Sequence, residues 1–322
     1  MRSPERVVAA LRARRELWEP SPGLVGLRGD AAVLRDRIAC EIASLTRSLA
    51  DEVWHVPPGL PLGTLARADY FLSFPQWLTA ASHLGGATAD LETVARAADP
   101  ASSARGALVA SDVALAPAVC YHVYAELAGQ KLSRPVRVSA ECTCWRHEAP
   151  RFSALIRDWS FTMREAVCVG TPQEADAFQR AGAAAVRTLA ERLGLSTATV
   201  HAEDPFFLPT GRGRALLQRL KALKHELVIE PPGAPPIAIA SFNHHERFFG
   251  DAFGISIADG TAASSACVAF GIERWLLAFL VAHGPSARDW PEVREATDPT
   301  DTHEVSEVMA GSAAIATRAE RS

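Results

Sequence analysis

The sequence predicts an α+β fold in which an antiparallel β-sheet is flanked by helices. Three observations support it. Residues 141–148 and 157–169 can both alternate, with 149–156 as a loop, so they read as paired strands. Residues 227–230 and 236–242 read as a second strand pair around a Pro-Pro-Gly-Ala-Pro-Pro turn. Apolar residues recur at near-helical spacing in the N-terminal region, after Pro172, and at the end of 265–280.

Composition narrows the class. The chain has 322 residues, 48% of them apolar and 22% charged, with a formal net charge of −4. That length can bury a large core, as one large domain or two small ones. No run of about 18 apolar residues is present, so no transmembrane helix is expected. The N-terminal stretch is too charged for the apolar part of a secretory leader, and a cytoplasmic location is expected. Six cysteines without a small-scaffold disulfide pattern suit a reducing compartment. The mild negative charge argues against broad nucleic-acid binding.

Residues 1–55 read as helices: Val7, Val8 and Leu11, then Leu34, Ile38, Ile42 and Leu45, follow helical spacing, and 20–29 separates the runs. Residues 1–60 are thus expected to form a helical segment packed on the main domain, closed by Pro57-Pro58-Gly59. Residues 63–81 are aromatic-rich, with Tyr70, Phe71, Phe74 and Trp77 around Pro75. Residues 84–112 are rich in Ala, Gly and Ser, and a helix is expected to open near 115–120 and stop near Gly129. After the strand pair, Pro172 with Glu174 and Asp176 starts a helix whose stripe of Ala175, Phe178, Ala181, Ala185, Leu189 and Leu193 ends at Gly194. A second helix, about 214–223, carries Arg214, Arg219 and Lys221. It makes 172–224 a helical insertion within a main domain of 61–290. A charged helix reads either as a solvated face or as a docking surface for an acidic partner. Residues 265–280 are a strand running into an apolar helix, and 291–322 form a polar tail.

Chemistry concentrates on the first strand pair. Side chains two apart share a strand face, so Cys142, Cys144, Arg146 and Glu148 point one way, as do Arg157, Trp159, Phe161, Met163 and Glu165. If the sets face the same side, the hairpin presents guanidinium, carboxylates and an aromatic plate. That reads as a holder for something charged and flat, or as surface ion pairs beside a core aromatic. The pattern Arg146-His-Glu148, a loop, then Arg157-x3-Phe161-x3-Glu165 resembles motif 2 of class II aminoacyl-tRNA synthetases. Cys267-Val-Ala-Phe-Gly271-Ile-Glu-Arg274 resembles their motif 3. The wider pattern, over 115–282, resembles the zinc-dependent archaeal-type seryl-tRNA synthetases, and more closely their truncated relatives, the amino acid:[carrier protein] ligases. The aromatic stretch at 63–81 occupies the place of the dimer-forming motif 1.

The resemblance implies a class II catalytic domain that activates a carboxylate with ATP. The carboxylate is already the nucleophile, so the site must neutralise phosphate, stack the base and align the attack. Arginine suits this because its planar fork stays charged and bonds phosphate oxygens in pairs. Arg146 would hold the α-phosphate and the amino-acid carboxylate. Arg274 would hold the γ-phosphate and lie over the adenine, with Phe161 beneath it. Glu148 would read the adenine amino group, Arg157 would lie near the outer phosphates, and Gly271 would let ATP approach the backbone. Ser241 and Asn243, on the strand before motif 3, are expected at the amino acid.

Two metal sets are visible. Cys142-x-Cys144-x2-His147 has a superficial ligand spacing, but His147 falls on the opposite strand face. The resemblance instead implies zinc on Cys120, Glu165 and Cys267, with an open position for the substrate's α-amino group. Magnesium is expected with ATP. The resemblance implies a magnesium carboxylate just before motif 3, where this chain has Ala238 and Ala240, with Glu230, Ser241 and Asn243 nearby. Three functions compete. The first is a ligase loading a small amino acid, glycine first and alanine second, onto the phosphopantetheine thiol of a carrier protein. The second is a free-standing aminoacyl-tRNA synthetase, disfavoured by a missing N-terminal arm and the lack of an extended basic surface. The third is a non-catalytic paralogue, disfavoured because the motif residues are all present. The first reading also implies a homodimer, carrier docking at Arg214, Arg219 and Lys221, and no tRNA or membrane partner. Trp159, Met163 and Phe270 are expected to limit side-chain space near the zinc residues.

Overall fold

A computed structural model of the protein describes residues 1–202 and 223–291. Arg214, Arg219 and Lys221 lie outside the described residues. Helix α1 (Pro4–Ala13) starts at Ser3, whose hydroxyl accepts from Arg6 N, with Pro4 at the first helical turn. Between the two expected helical runs the chain folds back as a hairpin, β1 (Leu17–Ser21) and β2 (Leu24–Leu27). The cause is Pro22-Gly23: Gly23 takes φ +77°, the left-handed conformation a turn of this kind needs. Helix α2 (Gly29–Ser48) then buries Leu34, Ile38 and Ile42.

The principal sheet has seven strands in the order β3-β7-β8-β12-β11-β10-β9. Their ranges are β3 (Glu52–His55), β7 (Val136–Trp145), β8 (Ser160–Gly170), β9 (Ala198–His201), β10 (Lys224–Ile229), β11 (Ile237–Glu246) and β12 (Ser264–Gly271). All neighbours are antiparallel except the edge strand β3, which runs parallel to β7. A smaller antiparallel sheet orders β4 (Gly59–Pro61), β6 (Leu108–Leu115) and β5 (Ala80–Leu84). Short helices α3 (Leu62–Arg67), α4 (Tyr70–Ser73), α5 (Thr88–Arg96), α6 (Pro100–Gly106) and α7 (Cys120–Glu126) lie between these strands. The last of them begins at Cys120, because 115 still belongs to β6.

Helix α8 (Pro172–Arg192) opens with a capping box: Thr171 Oγ accepts from Glu174 N at 3.2 Å, and Glu174 accepts from Thr171 N at 2.8 Å. The expected 172–224 insertion therefore contains α8 and the edge strand β9. Helix α9 (Phe248–Phe253) precedes β12, and α10 (Ile272–His283) follows it. The sheet separates two apolar layers. On one face α2, α8 and α10 pack on Ala166, Cys168, Phe242, Val268 and Phe270. On the other, α7, α9 and the Tyr70 segment pack on Ala140, Cys142, Cys144, Met163, Val167 and Cys267. Helix α10 is buried nearly all round, from Ile272 through Trp275 and Phe279 to Val281. Each of its large side chains contributes roughly 1.5–3 kcal/mol. No helix among the described residues is long and apolar enough to cross a membrane.

Helix α9 approaches the β12 segment at Gly250, where a Cβ would lie 2.1 Å from the Ala263 carbonyl oxygen. Gly250→Ala should therefore destabilise the fold by about 2 kcal/mol, because overpacking against backbone exceeds the ~1 kcal/mol gain in helix propensity. A lowered urea midpoint with an unchanged slope is the expected reading.

Candidate active site

The register of β7 and β8 places Ala140 opposite Glu165, Cys142 opposite Met163, and Cys144 opposite Phe161. The two expected side-chain sets therefore do share a face. Strand β12 continues that face with Ala269 opposite Glu165 and Gly271 opposite Met163. Next, β11 places Asn243 opposite Cys267 and Ser241 opposite Ala269, and β10 places Glu226 opposite Ser241. The strands are shorter at the loop end than expected. β7 stops at Trp145 and β8 starts at Ser160, so Arg146, Glu148, Arg157 and Trp159 belong to the connection. A backbone bond from Arg146 N to Trp159 O (2.9 Å) still holds its two stems together.

Arg146 is tightly placed. Its Nε donates to the Pro117 carbonyl at 2.9 Å, and its guanidinium lies 5.6 Å from the Phe161 ring and 5.3 Å from the Trp77 ring. In this ligand-free arrangement the cation over Phe161 is thus Arg146, with Trp77 also in contact. Arg274 donates instead to the carbonyls of Ile156 (2.8 Å) and Ala238 (3.1 Å). Burial, then the neighbouring Arg146 charge, lowers its pKa, while Glu148 and Glu226 act against this. Glu148 pairs with Arg157 at 3.7 Å. A Cβ at Gly271 would meet nothing nearer than Arg274 Cδ at 3.8 Å, so a ligand can come close to the backbone there.

The distant zinc-type residues come together in front of the sheet. Helix α7 sets the buried Cys120 thiol beside Cys267 and Glu165, and Cys267 first, then burial and Glu165, push its pKa well up. Val119 N donates to Glu165 Oε1 at 3.3 Å, and Asn243 Nδ2 donates to Cys267 Sγ at 3.3 Å and Ser241 Oγ at 3.1 Å. Burial first, and then Cys267, push the Glu165 carboxyl up to about 8. The Cys267 thiol is held well below its ordinary range by the Cys120 hydrogen bond, with His245 and Asn243 adding to it. Glu165 Oε2 is buried without a hydrogen-bond partner. Two thiols and a carboxylate with an orphaned oxygen fit a zinc ion. Among the described residues, however, no three His, Cys, Asp or Glu side chains are drawn into a ready coordination shell.

Other expectations change. His147 packs against Trp159, with ring centroids 5.0 Å apart, and against Phe152, so it does not join Cys142 and Cys144. The imidazole acting on Cys142 is His122 of α7, which helps lower that thiol to about 6 after the larger effect of Cys144. Phe270 points into the opposite apolar layer, so of the bulky residues on β8 and β12 it is Met163 that faces the site. Glu230 is exposed beyond the end of β10, whereas Glu226 lies on the site face and acts on Arg274. The aromatic stretch at 70–77 divides: Tyr70 is buried against Tyr121 and Phe74, Trp77 contacts Arg146, and Phe71 and Leu72 are exposed. His245 lies outside the expected set, yet its Nδ1 sits 3.3 Å from Ser265 Oγ and its Nε2 4.0 Å from Cys267 Sγ. The His244-His245 pair was visible, but only a bulge between β11 and β12 decides which one turns to the site.

This sheet and the face it presents define a class II aminoacyl-tRNA synthetase-like catalytic domain. The M. kandleri seryl-tRNA synthetase, solved with A. aeolicus tRNASec, matches with a TM-score of 0.80 at 24% identity, covering 94% of this chain and 62% of that one. Giardia lamblia prolyl-tRNA synthetase with prolyl-adenylate matches with a TM-score of 0.66 at 14% identity, covering 88% and 54%. No family model matches the chain. Two curated proteins of Bradyrhizobium diazoefficiens are similar over most of its length. Amino acid–[acyl-carrier-protein] ligase 1 is 33% identical over 259 residues, 80% of this chain and 78% of the relative. Ligase 2 is 34% identical over 274 residues, 84% and 81%. A type-2 serine–tRNA ligase of Methanococcus aeolicus is 28% identical over 190 residues, 56% of this chain and 36% of that protein. The chain belongs to the amino acid–[acyl-carrier-protein] ligase family and is an enzyme.

Within the β7–β8 connection, the buried Asp158 carboxylate accepts from Leu155 N at 3.1 and 3.2 Å, and burial followed by the Glu273 charge pushes its carboxyl from 3.8 up to about 8. The folded state therefore binds this proton more tightly than the unfolded state between those values, and stability falls as pH rises through the window. Asp158→Asn should flatten that fall, seen as a smaller drop in urea midpoint between pH 5 and pH 8.

Proposed function

We propose that the protein activates a small amino acid, glycine first and alanine second, as its aminoacyl-adenylate and transfers it to the phosphopantetheine thiol of a carrier protein. The single observation that carries this is the Arg146 guanidinium. Its Nε is committed to Pro117, its planes meet Phe161 and Trp77, and among the described residues its other nitrogens are left for an anion. In the first step a carboxylate oxygen of the amino acid attacks the α-phosphorus of ATP, the bond to the β-phosphate bridging oxygen breaks, and pyrophosphate leaves. Arg146 neutralises charge at the carboxylate and α-phosphate, Arg274 at the outer phosphates, and Phe161 stacks the adenine. Glu148 accepts from the adenine amino group and Arg157 lies at the outer phosphates. In the second step the thiol sulfur attacks the acyl carbon, AMP leaves and a thioester forms.

Cys120, Glu165 and Cys267 would hold zinc, which when bound supplies a Lewis-acid position for the substrate's α-amino group. Ser241 and Asn243 line the same place, and Met163 limits the side chain. Magnesium accompanies ATP, with Glu226 as the carboxylate that stands on the site face. The reading includes a cytoplasmic homodimer, in which exposed Phe71 and Leu72 and the edge strand β3 offer apolar and backbone contacts. It also includes carrier docking at Arg214, Arg219 and Lys221, where opposite charge would speed encounter.

Pyrophosphate exchange across the amino acids, followed by mass spectrometry of candidate carrier proteins, tests the reading. Arg146→Ala or Arg274→Ala should lower exchange by roughly a hundredfold or more, about 3 kcal/mol, with the fold intact. Normal exchange in both variants, or efficient charging of tRNA with no carrier loaded, would refute it. Cys120→Ala and Cys267→Ala should each purify without zinc by metal analysis. Zinc-free wild-type protein that stays active in strong chelator would remove the metal from the scheme.

A further inference from the structure

Tyr70 opens the one-turn helix α4, just after Asp69, whose backbone is left-handed at φ +53°. The turn sends the tyrosine inward. It is 1% exposed, with its ring edge-on to Tyr121 at 6.0 Å and tilted against Phe74 at 5.8 Å. Packing of that kind needs only a phenylalanine. The hydroxyl is buried and has no hydrogen-bond partner. Buried hydroxyls are nearly always satisfied, and one left open carries a desolvation cost with no return in the ligand-free protein. After burial, the group acting most strongly on its titration is the Arg146 guanidinium. Cys144 stands directly opposite Phe161, and Trp77 of the same segment touches the Arg146 guanidinium. The open hydroxyl thus belongs to the aromatic row that reaches Arg146: Tyr70 packs on Phe74, Phe74 stacks on Trp77 at 5.1 Å, and Trp77 meets the guanidinium at 5.3 Å.

We propose that Tyr70 is a substrate contact, whose hydroxyl donates a hydrogen bond to the anionic oxygen held by Arg146, first on the amino-acid carboxylate and then on the α-phosphoryl group of the adenylate. This rests on the adenylate-forming reading of the site. Burial raises the phenol's pKa, so the group keeps its proton and transfers none. It supplies a neutral donor beside a cationic one, both aimed at the oxygens whose charge redistributes as the carboxylate attacks phosphorus. The ligand that completes this bond also satisfies the orphaned hydroxyl, so ligand affinity and ligand-free stability are coupled through one atom.

Tyr70→Phe separates the two effects, because it keeps the packed ring. The ligand-free variant should melt no lower than wild type, and about 2 °C higher if the lost hydroxyl was wholly unsatisfied. Its amino-acid-dependent pyrophosphate exchange should fall at least tenfold. The rise in melting temperature caused by a non-reactive glycyl-sulfamoyl-adenosine should shrink relative to wild type. Full exchange in the variant beside an active wild type would overturn this inference alone, as would a lower melting point without ligand. A wild type that exchanges pyrophosphate with no amino acid, and is not stabilised by the analogue, would overturn the functional reading and this contact with it.

Discussion

The pairing of β7 with β8 is the constraint on which the site depends. Its register puts Cys144 against Phe161 and Ala140 against Glu165. A one-residue slip would turn Phe161 and Glu165 into the apolar layer behind the sheet and bring Arg164 forward. Arg164 is committed to the back, where it bonds Glu141 at 3.1 Å and Ser139 at 3.2 Å. That buried polar group opposes the slip, because moving it would leave a charge without partners. Strand β12 then fits on the outer side of β8 and aligns Cys267 and Gly271 on the same face.

The two sides of the sheet serve different ends. Behind it, Trp275, Phe279, Phe242 and Phe270 form an apolar layer with helices α2, α8 and α10. That layer supplies burial energy and leaves the front free to carry costly groups. In front, Glu165 Oε2 and the Tyr70 hydroxyl are buried without partners, and Glu165 is pushed up by burial. Such unsatisfied atoms destabilise the ligand-free fold. They are sustained by the core behind, and they make the front face receptive to ligands that supply the missing bonds. Trp77 shows the same division within one short segment: its neighbour Phe74 stacks on it at 5.1 Å, while its other contact is the Arg146 guanidinium.

What could be read from residues alone was mostly local. Alternation marked both strands of the hairpin and their common face, Pro172 with Glu174 and Asp176 marked the start of α8, and 265–280 was legible as a strand running into an apolar helix. Strand ends were misread because Arg146 and Trp159 keep one backbone bond beyond the regular ladder. The β1–β2 hairpin is masked in the sequence by the helical spacing on either side of it, and only the Pro22-Gly23 turn, with Gly23 left-handed, marks it. The parallel pairing of β3 joins residues 86 positions apart in sequence, Glu52 with Val138, and no local pattern encodes it.

The sequence by itself determined the α+β class, the motif residues and the chemistry they permit, because side-chain type and strand periodicity are properties of neighbouring positions. Only the tertiary structure decided which of these residues meet. It set Cys120 beside Glu165 and Cys267, turned Phe270 away, chose His122 over His147 as the imidazole near Cys142, brought Trp77 to Arg146, and buried Tyr70 against Tyr121 and Phe74. The reason is physical. Meeting across the sheet depends on register, bulges and the angle at which α7 and α4 pack on it, and those follow from the competition of many distant side chains for the same buried space.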